Sequence, residues 1–155
     1  MKAKLHGFTM VELVTVIVLL GILSVAIVPR MMSSADTAAP VFRADILSAL
    51  RYAQKVSVSH RRLVCANIAA GSITLTIAQA NPPAAGCNAA LPSPDNSPYS
   101  SKDPAVTAAN NIAGSTLFFQ PNGDILDGNS ALVNGQITIS GQAAIVIDGG
   151  GSRVE

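Results

Sequence analysis

Side chains that could do chemistry are sparse in this chain. Glu12 is the one formal charge in an apolar run from Phe8 to Val28, where sixteen of twenty-one residues are apolar. A carboxylate in a membrane helix costs roughly 3 kcal/mol unless it is protonated, paired or close enough to an end to snorkel, so its position favours a functional role. Cys65 and Cys87 are too few for a disulfide scaffold or a four-ligand zinc site. One disulfide closing their 22-residue spacing, or two free thiols with Cys65 buried, are both open. Asn122, Asp124, Asp127 and Asn129 form an oxygen-rich cluster, NGDILDGN. Its spacing is not that of a calcium loop, and a turn accounts for every residue, so no metal site is expected. His6 is in the leading segment, and His60 reads as a partly buried residue at a helix end. No Ser/His/Asp order, HExxH, Walker loop or GxSxG is present. Gly149-Gly150-Gly151 has no helix after it and cannot cradle phosphate. The expectation is a protein that is not an enzyme, has no catalytic residues and needs no cofactor.

The elements that would position these residues start with the apolar run. Twenty-one residues at ~1.5 Å each give about 31 Å, enough for a bilayer core. The run is too long for an ordinary secretory signal and lacks a small-residue cleavage site soon after it. Lys2 and Lys4 precede it, which places that end in the cytoplasm and the rest of the chain outside the inner membrane. The remainder of the 155 residues has an ordinary globular composition. Pro29 should kink the helix, and Ser33, Ser34 and Pro40 make residues 30–40 its weakest stretch. From Val41 the helical pattern returns: Phe42, Ile46, Ala49, Ala53, Val56 and His60 recur at steps of three and four to about residue 61. The other face carries Arg43, Arg51, Lys55, Arg61 and Arg62.

Strands and loops follow. Residues 63–68 and 72–77 read as a hairpin around Ala69-Ala70-Gly71. Residues 79–115 read as a long irregular loop holding six of the nine prolines. TLFFQ (116–120) reads as a buried strand and Pro121 to Asp124 as a turn. Residues 136–140 and 143–148 read as a second hairpin, after which the three glycines loosen the tail.

Gly7-Phe8-Thr9-Met10-Val11-Glu12-Leu13 resembles the type III signal of type IV pilins and type II secretion pseudopilins: a short basic leader ending in Gly, then Phe, then Glu at the fifth position. Pro29 also matches that pattern. The resemblance implies that a prepilin peptidase cuts between Gly7 and Phe8 and that Phe8 becomes an N-methylated N-terminus. The apolar helix would first hold the subunit in the inner membrane and then pass into a filament core. There Glu12 would pair with the Phe8 amine of a neighbour, a contact that recovers about 4 kcal/mol at 4 Å and an effective dielectric near 20.

The order TLFFQPNGD…ITIS…AIVID, and LRYAQKVSVSHRRLVC before it, resemble the pseudopilin H and FimT-like group. Within that group the first 30 residues look most like minor pilins of mannose-sensitive hemagglutinin pili. The expected fold is α+β, a long N-terminal helix packed on an antiparallel β-sheet head. The expected organisation is a leader (1–7), a transmembrane and filament-core helix (8–29), an amphipathic helix (30–62) and a periplasmic head (63–155) with the loop 79–115. An oxidising periplasm then favours a Cys65–Cys87 disulfide.

The function implied is that of a minor type IV pilin that primes pilus assembly and stays at the tip. The partners would be other major and minor pilins, the prepilin peptidase and the inner-membrane assembly platform. Two other readings stay open: a minor pseudopilin of a type II secretion system, and a DNA-binding minor pilin. Charge weighs against DNA. Residues 8–62 carry six basic and three acidic residues, whereas residues 63–155 carry Lys102 and Arg153 against six acids. Phosphate contacts need clustered cations, which this head lacks.

Overall fold

The computed structural model describes residues 9–27, 34–80 and 86–155. They fall into two compact units, Met1–Ser34 and Ala35–Glu155.

The first unit contributes one helix, α1 (Met10–Ile27). Thr9 caps it: the Glu12 N–H donates to Thr9 Oγ1 (3.2 Å) and the Leu13 N–H to the Thr9 carbonyl (3.1 Å). Thr15 and Ser24 donate their hydroxyls to the carbonyls of Glu12 and Leu20, so both polar side chains are satisfied within the helix. The large apolar side chains from Met10 to Leu23 are exposed on every side of the helix. Among the described residues no helix is long and apolar enough to cross a membrane. The 18 residues of α1 span about 27 Å at ~1.5 Å each, short of a ~30 Å hydrocarbon core. Phe8, Val28 and Pro29, which the 8–29 reading included, lie outside the described residues.

The second unit packs one helix on two antiparallel sheets. α2 (Ser34–His60) starts earlier than the pattern from Val41 suggested and runs through Pro40. The proline removes a single backbone donor, and burial of Ala39 and Phe42 on either side of it holds the turn in place. Phe42, Ile46, Ala49, Ala53 and Val56 are buried as their spacing predicts, but His60 is exposed. The helix ends there because Arg61 takes a left-handed conformation (φ 52°) and the Arg62 N–H donates back to the Ser57 carbonyl (3.1 Å). This is a Schellman closure built without glycine.

The first sheet has the order β3-β2-β1-β6-β7, with β4 also on β2. β1 (Val64–Ala69) and β2 (Ser72–Ile77) form the expected hairpin, with Val64 opposite Ile77 and Ala69 opposite Ser72. β6 (Thr116–Phe119) lies on the other side of β1, placing Phe118 opposite Cys65. The 79–115 segment is less irregular than expected. Its short strands β3 (Ala89–Ala90) and β4 (Tyr99–Ser100) pair with opposite ends of β2. β5 (Ala108–Asn110) joins the second sheet, whose order is β10-β9-β8-β5. β8 (Asn134–Ile139) and β9 (Ile145–Asp148) are the second predicted hairpin.

Five strands had no periodic signal because each is only two or three residues long: β3, β4, β5, β7 (Ile125–Leu126) and β10 (Arg153–Val154). The head therefore carries two sheets. Their inward residues, among them Val64, Ala66, Leu117, Phe119, Ile137 and Ile145, form one core with the α2 stripe. Each such side chain contributes roughly 1.5–3 kcal/mol.

The glycine run before β10 does not loosen the tail. Gly149 is buried, its N–H donates to the Val133 carbonyl (2.7 Å), and its carbonyl accepts from the Ile125 N–H (3.3 Å). It ties the end of β9 to β7, across the two sheets. A β-carbon there would overlap the Ile125 carbonyl oxygen and lie 2.7 Å from the Val133 nitrogen. Glycine is required by this close approach of backbones.

Candidate functional site

Of the first group of expected site residues, α1 carries Glu12. Gly7 and Phe8 lie outside the described residues. Glu12 is the third residue of α1 and is exposed. The partial positive charge of a helix N-terminus favours a carboxylate in this first turn. Thr9 and Glu12 are spaced as a capping box, T-x-x-E, and the hydroxyl half of that box is made by the Thr9 Oγ1 contact. Sequence reasoning missed Thr9, although this spacing was its signal. The contact holds the Glu12 backbone in the first turn of α1.

Cys65 and Cys87 are bonded, with Cα atoms 6.0 Å apart. Cys65 is on the face of β1 turned away from the main core, in a small cluster with Leu63 and Ala78 that Cys87 and Phe118 cover. The bond pins the start of the proline-rich segment to the central strand of the first sheet.

The oxygen-rich cluster resolves into two turns around β7. Asn122 Nδ2 donates to Asp124 Oδ2 (2.6 Å), and the Asp124 N–H donates to Asn122 Oδ1 (3.2 Å). Asp127 Oδ1 accepts from the N–H groups of Asn129 (2.9 Å) and Ala131 (3.0 Å). The side chains of Asn122, Asp124 and Asp127 thus hold these turns. Among the described residues no group of three or more His, Cys, Asp or Glu could hold a metal ion.

Arg43 Nε donates to the Ala143 carbonyl (2.8 Å), and Gln54 Nε2 donates to the Ser152 carbonyl (2.7 Å), so α2 is fastened to the second sheet at two points. Arg51, Lys55 and Arg61 are exposed. Arg153, the tail cation, is paired with Glu155.

These features sort themselves into a capped apolar helix and a disulfide-pinned head. A family described as the prokaryotic N-terminal methylation motif matches residues 2–28. The head has the pilin fold. Its likeness is to the crystal structure of EpsH, the minor pseudopilin of the type II secretion system of Vibrio cholerae, at a TM-score of 0.56 and 10% identity over 79% of this chain and 94% of that one. No curated protein matches the sequence. The motif model covers the front of the chain, and the likeness to EpsH shows the fold of the head.

Proposed function

We propose that this chain is a minor type IV pilin that joins a small complex in the inner membrane, primes filament assembly and stays at the pilus tip. The observation that carries the reading is a methylation motif over residues 2–28 ahead of a helix-on-sheet head of pseudopilin fold. In this reading prepilin peptidase cuts between Gly7 and Phe8, Phe8 is methylated, and the apolar run of residues 8–28 anchors the subunit. The head faces the periplasm, where the Cys65–Cys87 bond persists. Glu12 of one subunit then pairs with the Phe8 amine of the next, since a buried carboxylate and a buried amine each need a counter-charge. The partners are other pilins and the inner-membrane assembly platform. The chain's part is structural, without a reaction of its own. The basic leader and apolar run further suggest the mannose-sensitive hemagglutinin type of pilus.

Mass spectrometry of the protein recovered from its host tests the processing step. Loss of residues 1–7 and one methyl group on Phe8 are expected, and an intact N-terminus refutes the reading. Glu12→Ala should leave the protein in the membrane yet block its entry into filaments; full assembly of that variant refutes the charge pair.

A second reading, a minor pseudopilin of a type II secretion system, is supported by the EpsH likeness. Deleting the gene separates the two. Loss of surface pili supports the pilus, and normal piliation with blocked exoprotein release supports secretion. The DNA-binding reading is weakened because Arg153 already has a carboxylate partner in Glu155.

A further inference from the structure

A groove of about 550 Å³ lies between α2 and the proline-rich segment, and nothing in the pilin reading uses it. One wall is the α2 stripe Asp45, Ser48 and Tyr52, whose spacing of three and four residues turns all of them the same way. The other wall carries Asp95 and Tyr99, and Lys102 also lines the groove.

The Asp95 wall is preorganised. The buried Ser93 hydroxyl lies 2.8 Å from Asp95 Oδ1 and 2.6 Å from the Ser97 carbonyl oxygen, and the Ser97 N–H donates to the same Asp95 oxygen (3.2 Å). These hydrogen bonds hold the Asp95 carboxyl below its ordinary value, so it is anionic at neutral pH. Tyr99 is fixed by the pairing of β4 with Ile73 on β2. Its phenol is pushed above its ordinary value, first by burial and then by the negative charge of Asp95, by Tyr52 and by Asp45. Both carboxylates are thus felt at one ring. Among the described residues neither the Asp45 carboxylate nor Lys102 has a hydrogen-bond or ion-pair partner. Two carboxylates against one ammonium leave the lining at −1, and two phenol rings add their electron-rich faces.

We propose that this groove binds a cationic side chain, arginine or lysine, presented by a neighbouring protein subunit. Asp45 and Asp95 supply the counter-charge, and Tyr52 and Tyr99 supply the ring faces over which a guanidinium or ammonium packs. The preference for a cation stands on the groove alone. That a protein subunit carries it rests on the filament reading, in which the chain's partners are other pilins.

The chain supplies its own reporter. It contains two tyrosines and no tryptophan, and both tyrosines line the groove. Tyrosine emission of the full chain in maltoside micelles is followed while tri-arginine, and separately tri-glutamate, is added. A saturable change with tri-arginine alone is expected, weakening as salt is raised. Asp45→Asn should bind tri-arginine about threefold more weakly, and Lys102→Ala should bind it more tightly. A flat response to tri-arginine, an equal response to tri-glutamate, or undiminished binding by Asp45→Asn overturns the proposal. Far-UV circular dichroism checks that Asp45→Asn is folded. If it is not, Lys102→Ala decides, and unchanged or weaker binding there overturns the proposal. Failure of this titration leaves the processing measurement at Phe8 untouched, so the groove and the pilin reading fail separately.

Discussion

Gly149→Ala should be among the most damaging single-carbon changes in the head. The new methyl group would overlap the Ile125 carbonyl oxygen and stand 2.7 Å from the Val133 nitrogen and 3.1 Å from Val133 Cγ1. Two of these three obstacles are backbone atoms that cannot rotate aside. Overpacking of this kind costs about 1–3 kcal/mol. Relief requires β9 to move away from β7, stretching the Gly149–Val133 and Ile125–Gly149 hydrogen bonds, each worth about 1 kcal/mol net. The expected loss is therefore about 3 kcal/mol, or about 10 °C in melting temperature for a domain of this size. Urea unfolding of the wild-type and variant chains, read by far-UV circular dichroism, measures it. Gly71→Ala is the control: Gly71 lies in the β1–β2 turn, has no atom within 4 Å of an added β-carbon and no left-handed backbone. It should be neutral or slightly stabilising. A Gly149→Ala midpoint within about 0.5 kcal/mol of the wild type would refute the view that this residue joins the sheets.

Three further outcomes are expected. Removing the Cys65–Cys87 bond as a double serine variant should lower stability by about 3 kcal/mol, the loop-closure entropy for a span of this length; the shift in urea midpoint checks it. Arg61→Gly should raise stability by about 0.5–1 kcal/mol, because the left-handed conformation that closes α2 (φ 52°) is strained for arginine and free for glycine; thermal melts of the two chains decide it. Asp95 has a folded value below its ordinary one, so its contribution is present above the unfolded value of about 3.9 and is lost as pH falls through the folded value. Tyrosine emission should accordingly show a step in acid below about pH 4 as the turn around Asp95 loosens. That step should be absent in Asp95→Asn.

Some of this protein could be read without a structure because the signals are local. The stripe Phe42, Ile46, Ala49, Ala53 and Val56 is a spacing of side chains along one helix, and all five are buried. The two hairpins were visible because alternation over five or six residues next to a tight turn is itself a local pattern. The segment around Gly7, Phe8 and Glu12 carries a motif in consecutive residues, and the methylation-motif match covers that segment.

Tertiary structure decided what depends on pairing partners distant in the chain. β5, β7 and β10 are two or three residues each, too short for any periodicity, and they exist as strands only because longer neighbours present an edge to them. Gly149 looked like slack between a strand and the tail, yet the folded chain brings Ile125 and Val133 against it, so its missing side chain serves close packing rather than freedom. Pro40 looked like part of a weak stretch, but burial of Ala39 and Phe42 beside it outweighs the single hydrogen bond it removes. Tyr52 and Tyr99 are 47 positions apart and become one site only when β4 pairs with β2. A helix face or a short motif is a property of neighbouring residues, whereas a sheet edge, a backbone crossing or a groove belongs to residues that folding alone brings together.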